Sequence, residues 1–329
     1  MAVFDIEAKL LLTTALLVTY LIGIIIFKPL LQKLRKEGFT GRDMYKLGYP
    51  SVPEMGGIGI AFAYLTGLLF LSSFHDIPSI SYIVTFVLIL YFFFGLVDDI
   101  VGVGGAFKFT HSEIVKILIP LFFAFPLIRY VGTSIYLPYL GVMEFGLVYM
   151  IIILPVFIMV CANLVNMFSY YNGQSAGTTL IVLSFLTLKL IETGKTDILF
   201  FLFPFMGATL SFLSYNIHPA GVFPGDCGDM IMGAMIGIVA VLGNLELYTF
   251  ICLLPLTINF LMVSYWFLSE RGERHEKFGK VDKDGNIDPP NAKTLVWLFP
   301  NIWPLDERKT TLLMYLLVFV SSLSAWVLF

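Results

Sequence analysis

Charge is scarce in this chain. Of its 329 residues only 13% are Asp, Glu, Lys or Arg, against about 25% in a soluble globular domain. Apolar residues make up 58% and the mean hydropathy is +0.88, so the sequence reads as an integral membrane protein. Cysteine is also sparse. Cys161, Cys227 and Cys252 form no CxxC and no Cys/His cluster, which excludes a disulfide framework and a structural zinc site. Cys161 and Cys252 read as small core residues, and Cys227 as part of a polar loop. His75 and His218 stand alone, without metal-ligand spacing. There is no N-x-[ST] sequon, internal repeat or low-complexity tract. The net charge of −3 says little about partners; what matters is where the charges lie.

What is abundant is apolar sequence of spanning length. The stretch 10–27 could pass for a secretory leader. However, Asp5 and Glu7 precede it and Lys28, Lys33, Arg35 and Lys36 follow it. A leader has the opposite order, so the stretch is expected to be a retained helix that enters from outside. Apolar periodicity and turn residues predict ten helices, near 9–27, 57–74, 81–97, 113–128, 145–162, 175–192, 197–215, 229–243, 247–268 and 311–329. With an even count and the N-terminus outside, sixteen of the 20 Lys and Arg residues fall in the inner loops, leaving Lys9, Arg129, Lys189 and Lys195 outside. The positive-inside rule favours that orientation, with both termini outside.

The expected fold is therefore an all-α integral membrane protein of about ten transmembrane helices, a single multi-pass catalytic domain over 1–329. The last inner loop, 269–310, is expected to be a cytosolic insertion carrying a small β-hairpin, because Lys283-Asp284-Gly285-Asn286 is a hairpin turn signal. Its acidic residues superficially resemble a calcium loop, but Gly285 is at the wrong offset and Lys293 stands where Glu is required. The outer loops look short and featureless. The unusual polar residues gather in the inner loops, which predicts one catalytic face on the cytosolic side.

Four constellations stand out. Asp98 and Asp99 sit side by side where an apolar helix ends. Carboxylates at a membrane boundary are costly, and adjacent like charges more so, unless a cation or a solvated site neutralises them. This points to a divalent metal and phosphate chemistry; the bland reading is a solvated helix end. Lys108 could balance the pair or bind phosphate, or simply snorkel to the interface. Asn163 and Asn166 fall at i, i+3 on one helix face, ahead of Asn172-Gly173. Amide oxygens suit a hard cation and amides can read a nucleobase, although capping asparagines are common at helix ends. In Phe223-Pro-Gly-Asp226-Cys-Gly-Asp229, glycines allow phosphate to approach and Asp226 could ligate metal, or an Asp could merely cap the next helix. Pro50 to Gly57 forms a rigid Pro/Gly turn that carries Glu54.

Taken together, in order and each in its own inner loop, these motifs resemble the polyprenyl-phosphate N-acetylhexosamine-1-phosphate transferases. The likeness extends over nearly the whole chain and is greatest to the archaeal and eukaryotic enzymes that use UDP-GlcNAc and dolichyl phosphate. The resemblance implies catalytic roles for Asp98, Asp99 and Lys108, metal ligation by Asn166 and Asp226, and nucleotide binding by Asn172, Gly173 and Glu54. It implies that Arg274 and His275 hold the sugar-phosphate, with Asn163 a further candidate. After Arg274-His275 the family's pattern is lost, since Glu276 and then Phe278-Gly279-Lys280 replace its basic run.

The implied cofactor is Mg²⁺ or Mn²⁺. The implied partners are UDP-GlcNAc, polyprenyl or dolichyl phosphate and membrane lipids, without nucleic acid and with a homodimer as an option. The implied location is a cell membrane if the source is prokaryotic. The reaction would be attack of the lipid phosphate on the β-phosphate of UDP-GlcNAc, giving lipid-PP-GlcNAc and UMP, the first step of lipid-linked glycan assembly. The alternatives are another UDP-N-acetyl sugar or, in a different class, a secondary transporter. A transporter would place its ionisable groups near the midplane between repeats, whereas these acids lie at one face.

Overall fold

The protein, described here from a computed structural model, is a helical bundle; the structure describes residues 6–102, 113–138, 141–270, 276 and 278–329. The elements run α1 (Ile6–Glu37), β1 (Thr40–Arg42), β2 (Ser51–Pro53), α2 (Gly57–Ser72), α3 (Ile80–Gly102), α4 (Glu113–Phe123), β3 (Ser134–Leu137) and β4 (Gly141–Glu144). They continue α5 (Leu154–Asn166), α6 (Gln174–Glu192), α7 (Leu199–Asn216), α8 (Gly225–Gly243), α9 (Glu246–Cys252), α10 (Leu254–Ser269), β5 (Lys280–Val281), β6 (Ile287–Asp288), α11 (Leu295–Ile302) and α12 (Glu307–Leu328). Among the described residues, seven helices are long and apolar enough to cross a membrane. An eighth span arises if α9 and α10, bent by 69°, count as one. The segments expected at 57–74 and 113–128 form shorter apolar helices, Gly57–Ser72 and Leu118–Tyr130.

α8 is the hub. Its spanning window is 83% buried, against 28% for the peripheral α1 and α12. Apolar side chains gain little from leaving lipid for protein, so helices in a membrane associate through close packing of small residues. A Cβ on Gly233 would lie 2.4 Å from the Cys161 carbonyl oxygen of α5, and one on Gly95 of α3 would lie 2.5 Å from the Cys227 nitrogen. Hydrogen at these positions is what lets α3 and α5 touch the α8 backbone. Aromatic rings fill the remaining space, as where Tyr64 of α2 meets Phe205 of α7 edge-on at 5.7 Å.

Several boundaries differ from expectation, each for a physical reason. α1 does not stop at residue 27 but continues to Glu37, because residues 28–37 are mostly strong helix formers. At 32 residues it is about 48 Å long, so its basic end projects beyond a hydrocarbon core of about 30 Å. Asp98 and Asp99 lie within α3 and not after it. The helix expected from 229 begins at Gly225, so Cys227 is a buried first-turn residue and not part of a loop. The connection between the fourth and fifth helices, expected to be a short, featureless outer loop, contains the antiparallel β3–β4 ladder, Ser134 pairing with Glu144. In the last loop β5 pairs antiparallel with β6, Gly285 adopts a positive φ, and the Asp282 carboxylate accepts the Asp284 and Asn286 N–H groups. Sequence reading did not anticipate α11.

Candidate active site

The C-terminal ends of α3, α5 and α7 and the N-terminal ends of α2, α6, α8 and α12 meet at one end of the bundle. The loop 38–56 folds over this junction as the antiparallel β1–β2 pair. Beneath it lies a cavity of about 430 Å³. Helix N-termini carry unpaired N–H groups and a partial positive charge, which suits anions.

The adjacent aspartates take different positions around α8. Asp99 lines the main cavity. Its Oδ1 accepts the Asp226 N–H at 2.7 Å and its Oδ2 the Cys227 N–H at 3.0 Å. Asp99 therefore caps α8 from a neighbouring helix and fixes the backbone of Asp226. Gly225, with φ +69°, makes this possible, since its missing Cβ would lie 2.6 Å from Asp99 Oδ2. Asp98, buried, faces a small cleft on the other side, which it shares with Asn163, Asn166 and Asp226.

Asn166 ends α5 and donates from Nδ2 to Asp226 Oδ1 at 3.0 Å, bringing together two residues 60 positions apart. Both line the cavity and the cleft. Rotating the amide by half a turn presents its oxygen instead, so the pair offers a carboxamide and a carboxylate. Asn163 stands one turn earlier, with its amide donating to the Met159 carbonyl at 2.9 Å.

Glu54 reaches the cavity from the β2–α2 turn. Met55, immediately after it, is a buried non-glycine residue at φ +67°, a backbone strain of the kind that clusters at functional sites. Burial raises the Glu54 carboxyl above its usual range, and the neighbouring Asp99 charge adds to the shift. Tyr45 and Tyr170 also line the cavity, and burial pushes both phenols up to about 12, so both stay protonated near neutrality.

Asn172 is buried at the cavity wall. Its amide donates to Asp43 Oδ2 at 3.0 Å and its backbone N–H to Glu307 Oε1 at 2.7 Å. Glu307 is ion-paired with Lys46, which also approaches Asp43 at 3.5 Å. Gly173 lies behind this wall. It starts α6 at φ +80°, donates to Asn216 Oδ1 at 3.0 Å and accepts from Tyr315 at 2.6 Å, so the turn geometry alone requires glycine there. Lys108, Arg274 and His275 lie outside the described residues, while Glu276 is exposed.

Sequence reading missed Asp43, Lys46 and Glu307: Asp43 and Lys46 are three residues apart, but the contacts that join them to Asn172 and Glu307 span 129 and 261 residues. It also passed over Asp229, although the i, i+3 spacing from Asp226 places both on one helix face.

Among the described residues, the cavity wall carries Asp43, Glu54, Asp99, Asp226 and Asp229, with Arg42 as its cation. A site this acidic can receive an anionic substrate only with added positive charge. Mg²⁺ sites commonly use one or two protein oxygen ligands plus substrate phosphates, and Asn166 with Asp226 fits that donor set. A model of glycosyl transferase family 4 matches residues 81–244, which contain both residues. A protein from Sulfolobus acidocaldarius, provisionally named a UDP-N-acetylglucosamine–dolichyl-phosphate N-acetylglucosaminephosphotransferase, is 32% identical over 292 residues, 85% of each chain. The chain belongs to glycosyl transferase family 4. A Saccharolobus solfataricus protein with the same provisional name is 31% identical over 83% of this chain and 82% of its own. The phospho-N-acetylmuramoyl-pentapeptide-transferase of Clostridium beijerinckii is 28% identical over 69% of this chain and 71% of its own. With its seven or eight spanning-length apolar helices among the described residues, this family 4 chain is a multi-pass membrane protein related to sugar-phosphate transferases.

Proposed function

We propose that the protein transfers GlcNAc-1-phosphate from UDP-GlcNAc to a polyprenyl or dolichyl phosphate. A lipid phosphate oxygen bonds to the β-phosphorus, the bond from that phosphorus to the bridging oxygen breaks, and UMP leaves. The observation that carries this reading is the Asn166–Asp226 contact at the floor of an acid-lined cavity, beside helix N-termini. The provisional names of the Sulfolobus and Saccharolobus relatives supply the substrate pair.

Phosphoryl transfer needs positioning and charge neutralisation more than covalent catalysis. Asn166 and Asp226 would hold Mg²⁺ or Mn²⁺. Bound there, the ion would neutralise the donor pyrophosphate, which the surrounding carboxylates otherwise repel. Asp99 holds Asp226 in place through the α8 backbone. Asp98, one residue earlier, faces the side of Asp226 where the acceptor phosphate is assigned. Arg42 at the rim, with Lys108 and Arg274, supplies further positive charge. Asn172, fixed by Asp43 and Glu307, and Glu54 border the space assigned to uridine, and His275 joins Arg274 at the sugar. No general base is required, because the second pKa of a phosphate monoester is about 6 and the nucleophile is already largely dianionic at neutral pH.

Ten spans complete this reading when the bent α9–α10 pair and the two short apolar helices are counted as crossing. The cavity and the β5–β6 hairpin then face the cytosol, both termini face out, and the whole chain acts as one catalytic unit, with a homodimer as its assembly. The test is purified protein in vesicles given a panel of labelled UDP-sugars with C55 or dolichyl phosphate. UMP release with a lipid-linked product from UDP-GlcNAc is expected. Label accumulating inside vesicles without UMP release would identify a transporter, and preference for another UDP-N-acetyl sugar would move the specificity.

A further inference from the structure

Asp229 has no part in the reaction as drawn above. It is only 4% exposed, yet it lines the cavity beside Asn166, Ser169 and Asp226. Its Oδ1 is buried without a hydrogen-bond partner. The hydroxyls of Ser169 and Ser175, bonded to each other at 3.2 Å, also act as donors to the carboxylate, which leaves Oδ1 alone as the oxygen without a partner. A buried carboxylate oxygen with no donor is costly. A ligand that brings a donor into the cavity would satisfy it.

Position narrows the choice of donor. Asp229 follows Asp226 by three residues on α8, on the same face and one turn deeper. Both Asp99 oxygens are already occupied by backbone N–H groups. Among the described residues, no group of three or more His, Cys, Asp or Glu is arranged to hold a metal ion. Asp99, Asp226 and Asp229 therefore do not form a three-carboxylate metal centre. Asp229 is an acceptor next to a pair of oxygen ligands. A hard divalent cation held by few protein ligands keeps several waters, each a polarised donor.

We propose that Asp229 is a positioning residue that accepts a hydrogen bond from a water on the divalent cation held at Asn166 and Asp226. The inference rests on the metal assignment made under Proposed function. Groups that orient a metal's ligands from outside the coordination sphere are typically worth 10–100-fold in metal affinity.

The experiment is Mn²⁺ binding in the presence of UMP, read by electron paramagnetic resonance on purified wild type, Asp229→Ala, Asp229→Asn and Asp226→Ala. Electron–nuclear double resonance would read the exchangeable water protons on the bound ion. About a tenfold or greater loss of Mn²⁺ affinity is expected for Asp229→Ala, with a smaller loss for Asp229→Asn, whose amide oxygen still accepts. The water-proton couplings should change in both, while UMP affinity in EDTA stays as in wild type. Should Asp229→Ala fail to fold, the near-isosteric Asp229→Asn carries the test. Wild-type affinity and couplings in Asp229→Asn and in any folded Asp229→Ala, with binding lost in Asp226→Ala, would overturn the role of Asp229 and leave the metal assignment standing. No Mn²⁺ binding in wild type, or undiminished binding in Asp226→Ala, would overturn the metal assignment and this inference together.

Discussion

Replacing Asp99 with Asn should damage stability and turnover together, which separates a helix-anchoring carboxylate from a purely chemical one. In the folded protein each Asp99 oxygen accepts one backbone N–H from the first turn of α8, at 2.7 and 3.0 Å. The amide of Asn keeps one acceptor and turns its NH₂ toward the other N–H. One charge-assisted hydrogen bond is lost, worth about 1.5–3 kcal/mol. The favourable pairing of a carboxylate with the α8 N-terminus goes too, worth about 0.3–1 kcal/mol and up to about 2 when partly buried. The combined loss is about 2–5 kcal/mol. Because Asp226 contributes one of the two N–H groups, its carboxylate shifts as α8 relaxes. A displacement of about 1 Å at a reacting centre can cost about 100-fold in rate. Thermal unfolding of detergent-solubilised wild type and Asp99→Asn, alongside UMP release, makes the comparison. A lowered melting temperature with turnover down by about two orders of magnitude is expected. An unchanged melting temperature would mean that Asp99 does not hold α8, and near-normal turnover would mean that Asp226 does not depend on it.

The buried ion pair gives a second case. Glu307→Ala removes one of the two carboxylates beside Lys46 and the acceptor for Asn172 N–H, so UMP affinity should fall and melting should come earlier. Calorimetry showing wild-type UMP binding would disconnect Asn172 from the nucleotide. Glu54 gives a pH signature. Its carboxyl is raised by burial and then by Asp99, so its ionisation opposes folding as pH rises from the unfolded value through the folded one. Wild type should lose stability relative to Glu54→Gln over that window and converge with it below the unfolded pKa, as followed by melting temperature against pH. The opposite slope would mean that Glu54 is held charged by an unrecognised cation. Gly233→Leu should prevent α5 from meeting α8, because the Cys161 carbonyl occupies the space; a monodisperse, active variant would contradict that packing.

Helices were legible in the sequence because lipid demands long uninterrupted apolar runs, and each of the ten predicted segments has a helical counterpart. Their ends were less legible. Lys28 to Glu37 reads as a polar loop yet continues α1, since hydropathy reports where lipid ends and not where the backbone stops being helical. The meeting of Asn166 with Asp226 was foreseen by resemblance. The anchoring of α8 by Asp99 was not, because a pair of adjacent acids does not reveal which one faces which neighbour. Asp43 and Lys46 lie three residues apart, but Glu307 and Asn172 join them only when the bundle closes. Asp229 was in view beside Asp226, but sequence alone could not distinguish a solvated cap from a buried acid with one unpartnered oxygen.

The most direct measurement follows the two phosphates of the donor. Purified protein with Mg²⁺ and dolichyl phosphate is given UDP-GlcNAc carrying ³²P in either the α or the β position. The β label should enter the lipid fraction while the α label leaves as UMP. Recovery of both labels in released UDP would mean that sugar moves without its phosphate, and would contradict the reaction assigned to this site.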